Sequence, residues 1–293
     1  RINVIYTDES SDFRTSYPKN LIPVPKGQGI SKGYLRPADG IVEFGEGPGI
    51  DRGGINWAGA YYRVMGSKLV LISKTGTYTE IGDVGDNGKQ VTLDYSFDYL
   101  AIASNEELWL YDGTTLAQNV DPDLGVVLDV KWVDGYFMTT DGENLVVTEL
   151  DDPFAVNPLK YGNAEADPDS IVSLLKLRNE IYALNRNSIE VFDNIGAEGF
   201  PFQRVPGAQI ERGSIGTHTT CVFLQSIAFL GGAVNEAPAI WLGLNGSTTK
   251  ISTREIDQIL LEYTEDELSL CTLESRVDKG HQHLYMHLPD KTI

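Results

Sequence analysis

The chain has 293 residues, 42 acidic against 23 basic, for a formal net charge of −19 and a pI near 4.5. Such a balance argues against a protein that grips nucleic acid, since phosphate binding needs clustered Lys and Arg. The 41% hydrophobic and 10% aromatic content is core-forming rather than disordered, and no run of eighteen apolar residues offers a membrane-crossing helix.

In chain order, residues 1–45 read as an extended N-terminal arm. Pro18, Pro23 and Pro25 surround Leu21, Ile22 and Val24, a pattern that suits a segment laid across a surface. Residues 45–54, Gly-Glu-Gly-Pro-Gly-Ile-Asp-Arg-Gly-Gly, read as a loop of tight turns ahead of the first clear strand. From residue 60 onward, short apolar runs alternate with Asn, Asp and Gly turns, the signature of antiparallel meanders. The first unit has strands at 61–64, 68–72 and 78–81; the second at 99–103 and 108–111; the third at 127–132, 136–139 and 145–148. The clearest is the fourth, at 171–177, 181–184 and 188–192, joined by Arg178-Asn179 and Asn185-Arg186-Asn187. A fifth covers 221–224, 227–230, 239–242 and 248–251, and a partial sixth has 276–277 and 283–288.

One strand per unit, marked by Tyr61, Leu100, Tyr136, Ile181 and Ile227, recurs at intervals of 39, 36, 45 and 46 residues. A period of roughly 40–50 residues with three or four strands per unit predicts an all-β fold, a β-propeller of about six blades over residues 46–293. No Trp-Asp or kelch signature accompanies it. A short helical insertion near 252–270 interrupts the last units. Ser252-Thr253-Arg254-Glu255 and Thr264-Glu265-Asp266-Glu267 each read as a capping box, with apolar Ile256, Ile259, Leu260 and Tyr263 at helical spacing after the first.

The search for chemistry gives little. Asp83, Asp86, Asp121 and Asp123 stand among Gly, Pro and Asn, where turn formation is the simplest use of Asp. Residues 83–88 lack the twelve-residue calcium-loop pattern and its closing glutamate, and Glu165-Ala166-Asp167-Pro168-Asp169 is no better. On a strand His281, His283 and His287 share one face, but His287 lies about 13 Å further along at strand rise, too far for one zinc ion. We therefore assign no metal, no cofactor and no catalytic residue. A Gly-x-Ser-x-Gly elbow, a phosphate loop and the Asp box of sialidases are all absent, and Gly27-x-Gly29 and Gly45-x-Gly47 precede no helix signal. Trp57, Trp109, Trp132 and Trp241 read as core or interface aromatics. Cys221 and Cys271 are too few for a disulfide framework and read as buried small hydrophobes in a reducing compartment.

Several runs together are similar to one known family. They are Gly33-Tyr34-Leu35-Arg36 with Pro48-Gly49-Ile50, Ala60-Tyr61-Tyr62-Arg63-Val64 with Gly66-Ser67-Lys68-Leu69, and Ile81-Gly82-Asp83-Val84. Thr148-Glu149-Leu150-Asp151-Asp152-Pro153, residues 164–169 and Ser188-Ile189-Glu190-Val191-Phe192 follow. Glu211-Arg212-Gly213-Ser214-Ile215-Gly216-Thr217, Ile256 with residues 263–267, and His287-Leu288-Pro289 complete the set. In this order they resemble the packaged-DNA stabilization proteins, the tail accessory factors or tail hubs of short-tailed Salmonella-type phages. The resemblance implies a non-enzymatic virion tail protein that joins head to tail and closes the portal channel over packaged DNA. It implies assembly in the bacterial cytoplasm as a hexameric ring between a portal adaptor protein and a tail needle, beside the tailspikes, with no sequence-specific nucleic-acid binding and no membrane. It also implies that a C-terminal third of the family protein lies beyond this sequence, which reads as a fragment or processed chain at both ends. Two other readings compete: a propeller carbohydrate hydrolase or lectin, which would need a carboxylate pair in a central pocket lined by Trp57, Trp109 or Trp241, and a prophage binding module.

Overall fold

The computed structural model describes residues 21–24, 33–40, 42–164, 169–278 and 280–293. A ribbon of β1 (Leu21–Val24) and β2 (Tyr34–Pro37) comes first. Six successive antiparallel sheets follow. The first holds β3 (Asp51–Trp57), β4 (Ala60–Met65), β5 (Lys68–Ile72) and β6 (Tyr78–Asp83); the second β7 (Thr92–Tyr95), β8 (Leu100–Ser104), β9 (Glu107–Tyr111) and β10 (Leu116–Gln118). The third holds β11 (Asp129–Val133), β12 (Tyr136–Thr140), β13 (Asn144–Glu149) and β14 (Asp152–Asn163); the fourth β15 (Ile171–Leu177), β16 (Glu180–Asn185), β17 (Ile189–Asn194) and β18 (Phe202–Arg204). In the fifth, β19 (Gly213–Ser214) and β20 (Thr220–Phe223) both pair with β21 (Ser226–Gly232), followed by β22 (Ala239–Leu244) and β23 (Ser247–Lys250). Helices α1 (Arg254–Leu260) and α2 (Glu265–Ser269) precede the sixth sheet, which has only β24 (Thr272–Asp278) and β25 (His281–His287).

The hairpins are set by turn chemistry. Asp134-Gly135 and Asn245-Gly246 place both central residues in the left-handed region, with φ of 48° and 89° and of 48° and 77°. Two left-handed residues make the turn whose twist matches the flanking strands, and Asn, Asp and Gly tolerate that region best. Each turn fixes register, so strand neighbours in sequence become neighbours in space.

Burial then stacks the sheets. Successive strand residues point to opposite faces, and both faces of each inner sheet are covered. In β16, Tyr182 and Leu184 pack towards Phe229 and Trp241 of the fifth sheet, whereas Ile181 and Ala183 pack towards Met138 and Leu145 of the third. The same alternation sets Leu100 and Ile102 against Val64 and Leu69, and Ala101 and Leu108 against Phe137 and Val146. This explains why these strands are continuous apolar runs rather than alternating ones. Each large side chain buried this way, such as Tyr182 or Phe229, contributes roughly 1.5–3 kcal/mol. Between the fifth and sixth sheets, Leu230 and Ile240 meet Leu273 and Met286, with Leu260 of α1 and Leu268 of α2 filling the same layer.

The first strand of each sheet, or β20 in the fifth, touches its counterpart in the next, in the order β3, β7, β11, β15, β20, β24. These strands therefore surround a common axis. Gln90, before β7, and Thr272 of β24 exchange side-chain hydrogen bonds at 3.1 Å and bring the sixth sheet back to the loop leading into the second.

The five repeat markers lie one per sheet, on β4, β8, β12, β16 and β21, each paired with an axial strand. Two expectations are corrected. The stretch 45–54 is not all loop, because β3 starts at Asp51. Ser252 does not cap α1: the N-cap is Thr253, which makes no side-chain cap, while the Ser252 hydroxyl donates to Asp257 at 2.6 Å and accepts from the Ile240 amide. The capping box at α2 is present in both directions between Thr264 and Glu267. Of the N-terminal arm, Pro18 and Pro25 lie outside the described residues.

Candidate functional site: the axial cavity

The strands around the axis enclose a cavity of about 580 Å³. Its charged lining is four basic residues (Arg52, Arg63, Lys131 and Arg276), three acidic ones (Asp51, Asp129 and Glu274) and two histidines (His218 and His287). Of the 37 acidic residues among the described ones (42 − 5), 34 lie outside this lining (37 − 3).

Asp129 on β11 is the most constrained group. It is 1% exposed. One carboxylate oxygen accepts from the Val130 amide at 2.7 Å and from Lys131 Nζ at 2.8 Å. The other accepts from the Leu174 amide on β15 at 2.7 Å and from Ser173 Oγ at 3.4 Å. Asp129 thus ties the third sheet to the fourth. Asp94 on β7 does the same one sheet earlier, accepting from the Trp132 amide on β11 at 2.7 Å. One sheet later, Ser173 Oγ donates to the Thr217 carbonyl at 3.0 Å and Thr217 Oγ1 donates to the Val172 carbonyl at 2.7 Å. These buried acceptors hold edge amides that would otherwise be orphaned beside the axis.

The cations are equally engaged. The Arg52 guanidinium donates to the carbonyls of Lys89 (2.6 Å), Gly66 (2.9 Å) and Gly85 (2.8 Å) and to Asn87 Oδ1 (3.1 Å). It therefore acts as the peg around which the 83–90 loop folds, and burial lowers its pKa while Asp86 opposes the shift. Arg63 pairs with Asp51, and Arg276 with Glu274. His287 Nε2 lies 2.7 Å from Glu274 Oε1. Burial tends to raise the Glu274 pKa, but the hydrogen bonds from His287 and Arg276 outweigh it and hold the carboxyl below its ordinary range. Burial pushes His218 the other way, down, against the pull of Asp129. Each lining carboxylate already has a cation, so the arrangement presents no spare acid–base pair.

The sequence candidates are distributed as follows. Asp83, Asp86 and Asp121 accept from the amides two residues on, Gly85, Gly88 and Asp123, at 2.9, 2.8 and 2.9 Å, so they are turn residues. Asp169 accepts from the Asn187 amide; residues 165–168 lie outside the described residues. His281 and His283 are adjacent, with ring centroids 6.5 Å apart, while His287 is held by Glu274 and by Thr292 Oγ1 at 2.9 Å. Among the described residues no three His, Cys, Asp or Glu side chains converge on one point. None of Trp57, Trp109, Trp132 and Trp241 lines the axial cavity. Trp57 packs with Tyr62 and Tyr111, and Trp241 lies beneath the Arg212 guanidinium at 4.2 Å. Burial raises the thiol pKa of Cys221 to about 12 and of Cys271 to about 11, and both are free. Asp129, His218 and Glu274 were missed by sequence reasoning. Asp129 and Glu274 lie on ordinary strands and His218 in the turn between β19 and β20, and only the circular stacking brings them together.

A family model described as "Bacteriophage P22 Gp10, beta-propeller" matches residues 2–293. The chain belongs to this family. It is also 29% identical over 301 aligned positions to the tail hub protein gp10 of Salmonella phage P22, covering 96% of this chain and 62% of that one. The chain thus spans less than two thirds of the length of this curated relative. Among solved structures, PorZ, a surface component of the type-IX secretion system of Porphyromonas gingivalis, aligns with a TM-score of 0.51 at 11% identity. That alignment covers 83% of this chain and 31% of PorZ and speaks for the fold alone. The propeller expected from the 36–46-residue period is the family's fold.

Proposed function

We propose that this chain is the propeller portion of a phage tail hub, a structural part of the virion rather than an enzyme. The observation that carries the reading is the match of the propeller family over residues 2–293, together with the tail hub relative aligned over 96% of the chain. The site chemistry supports it. An axial cavity whose carboxylates are already paired with cations, and whose Asp129 ties the third sheet to the fourth, is suited to holding a shape. In the whole protein we place the hub as a hexameric ring between the portal adaptor and the tail needle, beside the tailspikes, joining head to tail and closing the channel after packaging. It is assembled in the host cytoplasm and resides in the virion tail. The net acidic charge would let DNA pass without sticking to the protein.

Disrupting the gene in the parent phage tests this reading. Heads should fill, then lose their DNA to added nuclease, and carry no needle. Particles that stay nuclease-resistant and fail only at adsorption would overturn it in favour of carbohydrate recognition.

A further inference from the structure

Two hollows away from the axis share an aromatic wall. The smaller, of about 130 Å³, lies where the β7–β8, β11–β12 and β13–β14 turns meet. Phe97, Tyr99, Trp132 and Phe137 are its aromatic lining, and Asp98 and Asp151 its charged residues. It is smaller than the roughly 300–1,000 Å³ of drug-sized ligand pockets and suits the end of one long side chain. The larger hollow shares Phe97 and Trp132 with it and contains Lys176, whose ammonium sits 4.5 Å from the centre of the Trp132 ring. This indole thus already seats a cation in the neighbouring hollow.

The two carboxylates set the smaller hollow apart from the axial cavity, where each carboxylate is paired with a cation. Here no Lys, Arg or His lines the wall. Among the described residues neither the Asp98 nor the Asp151 carboxylate has an ion pair or a hydrogen bond. The turns that carry them are nevertheless pinned. Ser96 Oγ accepts from the Asp98 and Tyr99 amides at 3.2 and 2.9 Å, and the Ser96 carbonyl accepts from Trp57 Nε1 at 3.1 Å. The Asp151 amide donates to the Gly135 carbonyl at 3.0 Å. On this fixed frame Phe97 is 94% exposed, and Leu150 beside Gly135 and Phe154 beside Tyr99 are exposed as well. A held apolar rim around a hollow is the mark of an interaction surface.

We propose that this hollow receives a Lys or Arg side chain of a separate, basic polypeptide, whose apolar residues next to that cation rest on Phe97, Leu150 and Phe154. Aromatic faces attract a cation through their quadrupole, and the unpaired carboxylates add Coulomb attraction and specificity. A charged anchor ringed by aromatic contacts is also how interfaces concentrate binding energy. Charge complementarity chooses this occupant. An acidic partner would meet Asp98 and Asp151 with no cation between them, and the net charge of −19 favours encounter with a basic one. A small free cation would leave the exposed rim uncovered. The site does not depend on the tail-hub role.

Saturation-transfer NMR on the natural polypeptide tests it with three acetylated, amidated tripeptides: Leu-Arg-Leu, Leu-Gln-Leu and Gly-Arg-Gly. Leu-Arg-Leu should bind saturably and about tenfold tighter than either of the others. Asp98→Asn combined with Asp151→Asn should weaken it by about tenfold, and Phe97→Ala should erase its advantage over Gly-Arg-Gly. All three residues are exposed, and Asn tolerates the left-handed backbone of Asp151 (φ 55°), so the variants should keep the parent's unfolding midpoint. Equal binding of Leu-Gln-Leu, equal binding of Gly-Arg-Gly, or unchanged affinity in the double variant would each overturn the proposal. So would a change of oligomeric state in the double variant, which would make a second copy the occupant.

Discussion

The fourth and sixth sheets are built from the same hairpin but are held in different ways. In the fourth, Ile181, Tyr182, Ala183 and Leu184 are all fully buried, because a sheet covers each face. In the sixth, β24 and β25 bury Leu273 and Met286 on one face only, against α1, α2 and the fifth sheet. Their other face carries Glu274, Arg276 and His287 into the axial cavity. A strand in this fold is thus stabilised less by its own sheet than by its neighbours on either side, as expected of a repeat whose units cannot bury their own faces.

Substitutions can break or sharpen this contrast, and the largest effect belongs at a junction between sheets. Asp129→Ala leaves the Leu174 amide and Lys131 without their buried acceptor, and should destabilise by roughly 3–5 kcal/mol in chemical denaturation. Asp129→Asn, which keeps an acceptor, should cost clearly less. Within the fourth sheet, Leu184→Ala should cost roughly 2–5 kcal/mol. Leu284→Ala in the sixth, half-buried and packed from one side, should cost less than half of that. Equal losses would remove the distinction between covered and open sheets.

The helices that stand in for a neighbour give a smaller effect. Thr264→Ala removes a complete capping box and should cost about 1 kcal/mol. Thr253→Ala, at a cap without a side-chain hydrogen bond, should be nearly silent. The two thiols report the same layer. Because burial raises their pKa to about 12 and about 11 from 9.0, both should resist alkylation at neutral pH until unfolding. Their neutral forms favour the folded state below pH 9, and that contribution should be lost as pH rises from about 9 to about 12. Glu274 acts at the other end of the scale. Its lowered pKa favours the folded state above the ordinary carboxylate range and is lost as pH falls through the folded value. Glu274→Gln should flatten the acid limb of a pH–stability profile.

Hairpins with Asp-Gly or Asn-Gly turns were legible in the sequence because the turn residue and the apolar runs point to one structure. The axial strands β3 and β7 and the outer strands β10, β14 and β18 were not, although β11, β15 and β20 beside the axis were. The first strand, β3, hides in a glycine-rich stretch that reads as turns. Gly53 adopts a φ of 150°, and an added Cβ would meet Val91 at 3.0 Å; at Gly54 it would meet the Arg63 side chain at 2.9 Å. Glycine serves close approach near the axis here, not chain reversal. Outer strands such as β10 and β18 have only three residues each, too short for a periodic signal. Ser252 carries the residue pattern of a cap but is claimed by Ile240 and Asp257 across the fold, a tertiary demand that local spacing does not reveal. The axial residues Asp129, His218 and Glu274 come from three different sheets, so no linear motif contains them.

The most direct measurement of the central claim is the position of this protein in the purified particle. Antibody labelling of the intact phage under the electron microscope should place it at the head–tail junction of DNA-filled particles. Its absence from purified particles, or label confined to the distal receptor-binding appendages, would contradict a hub that closes the channel.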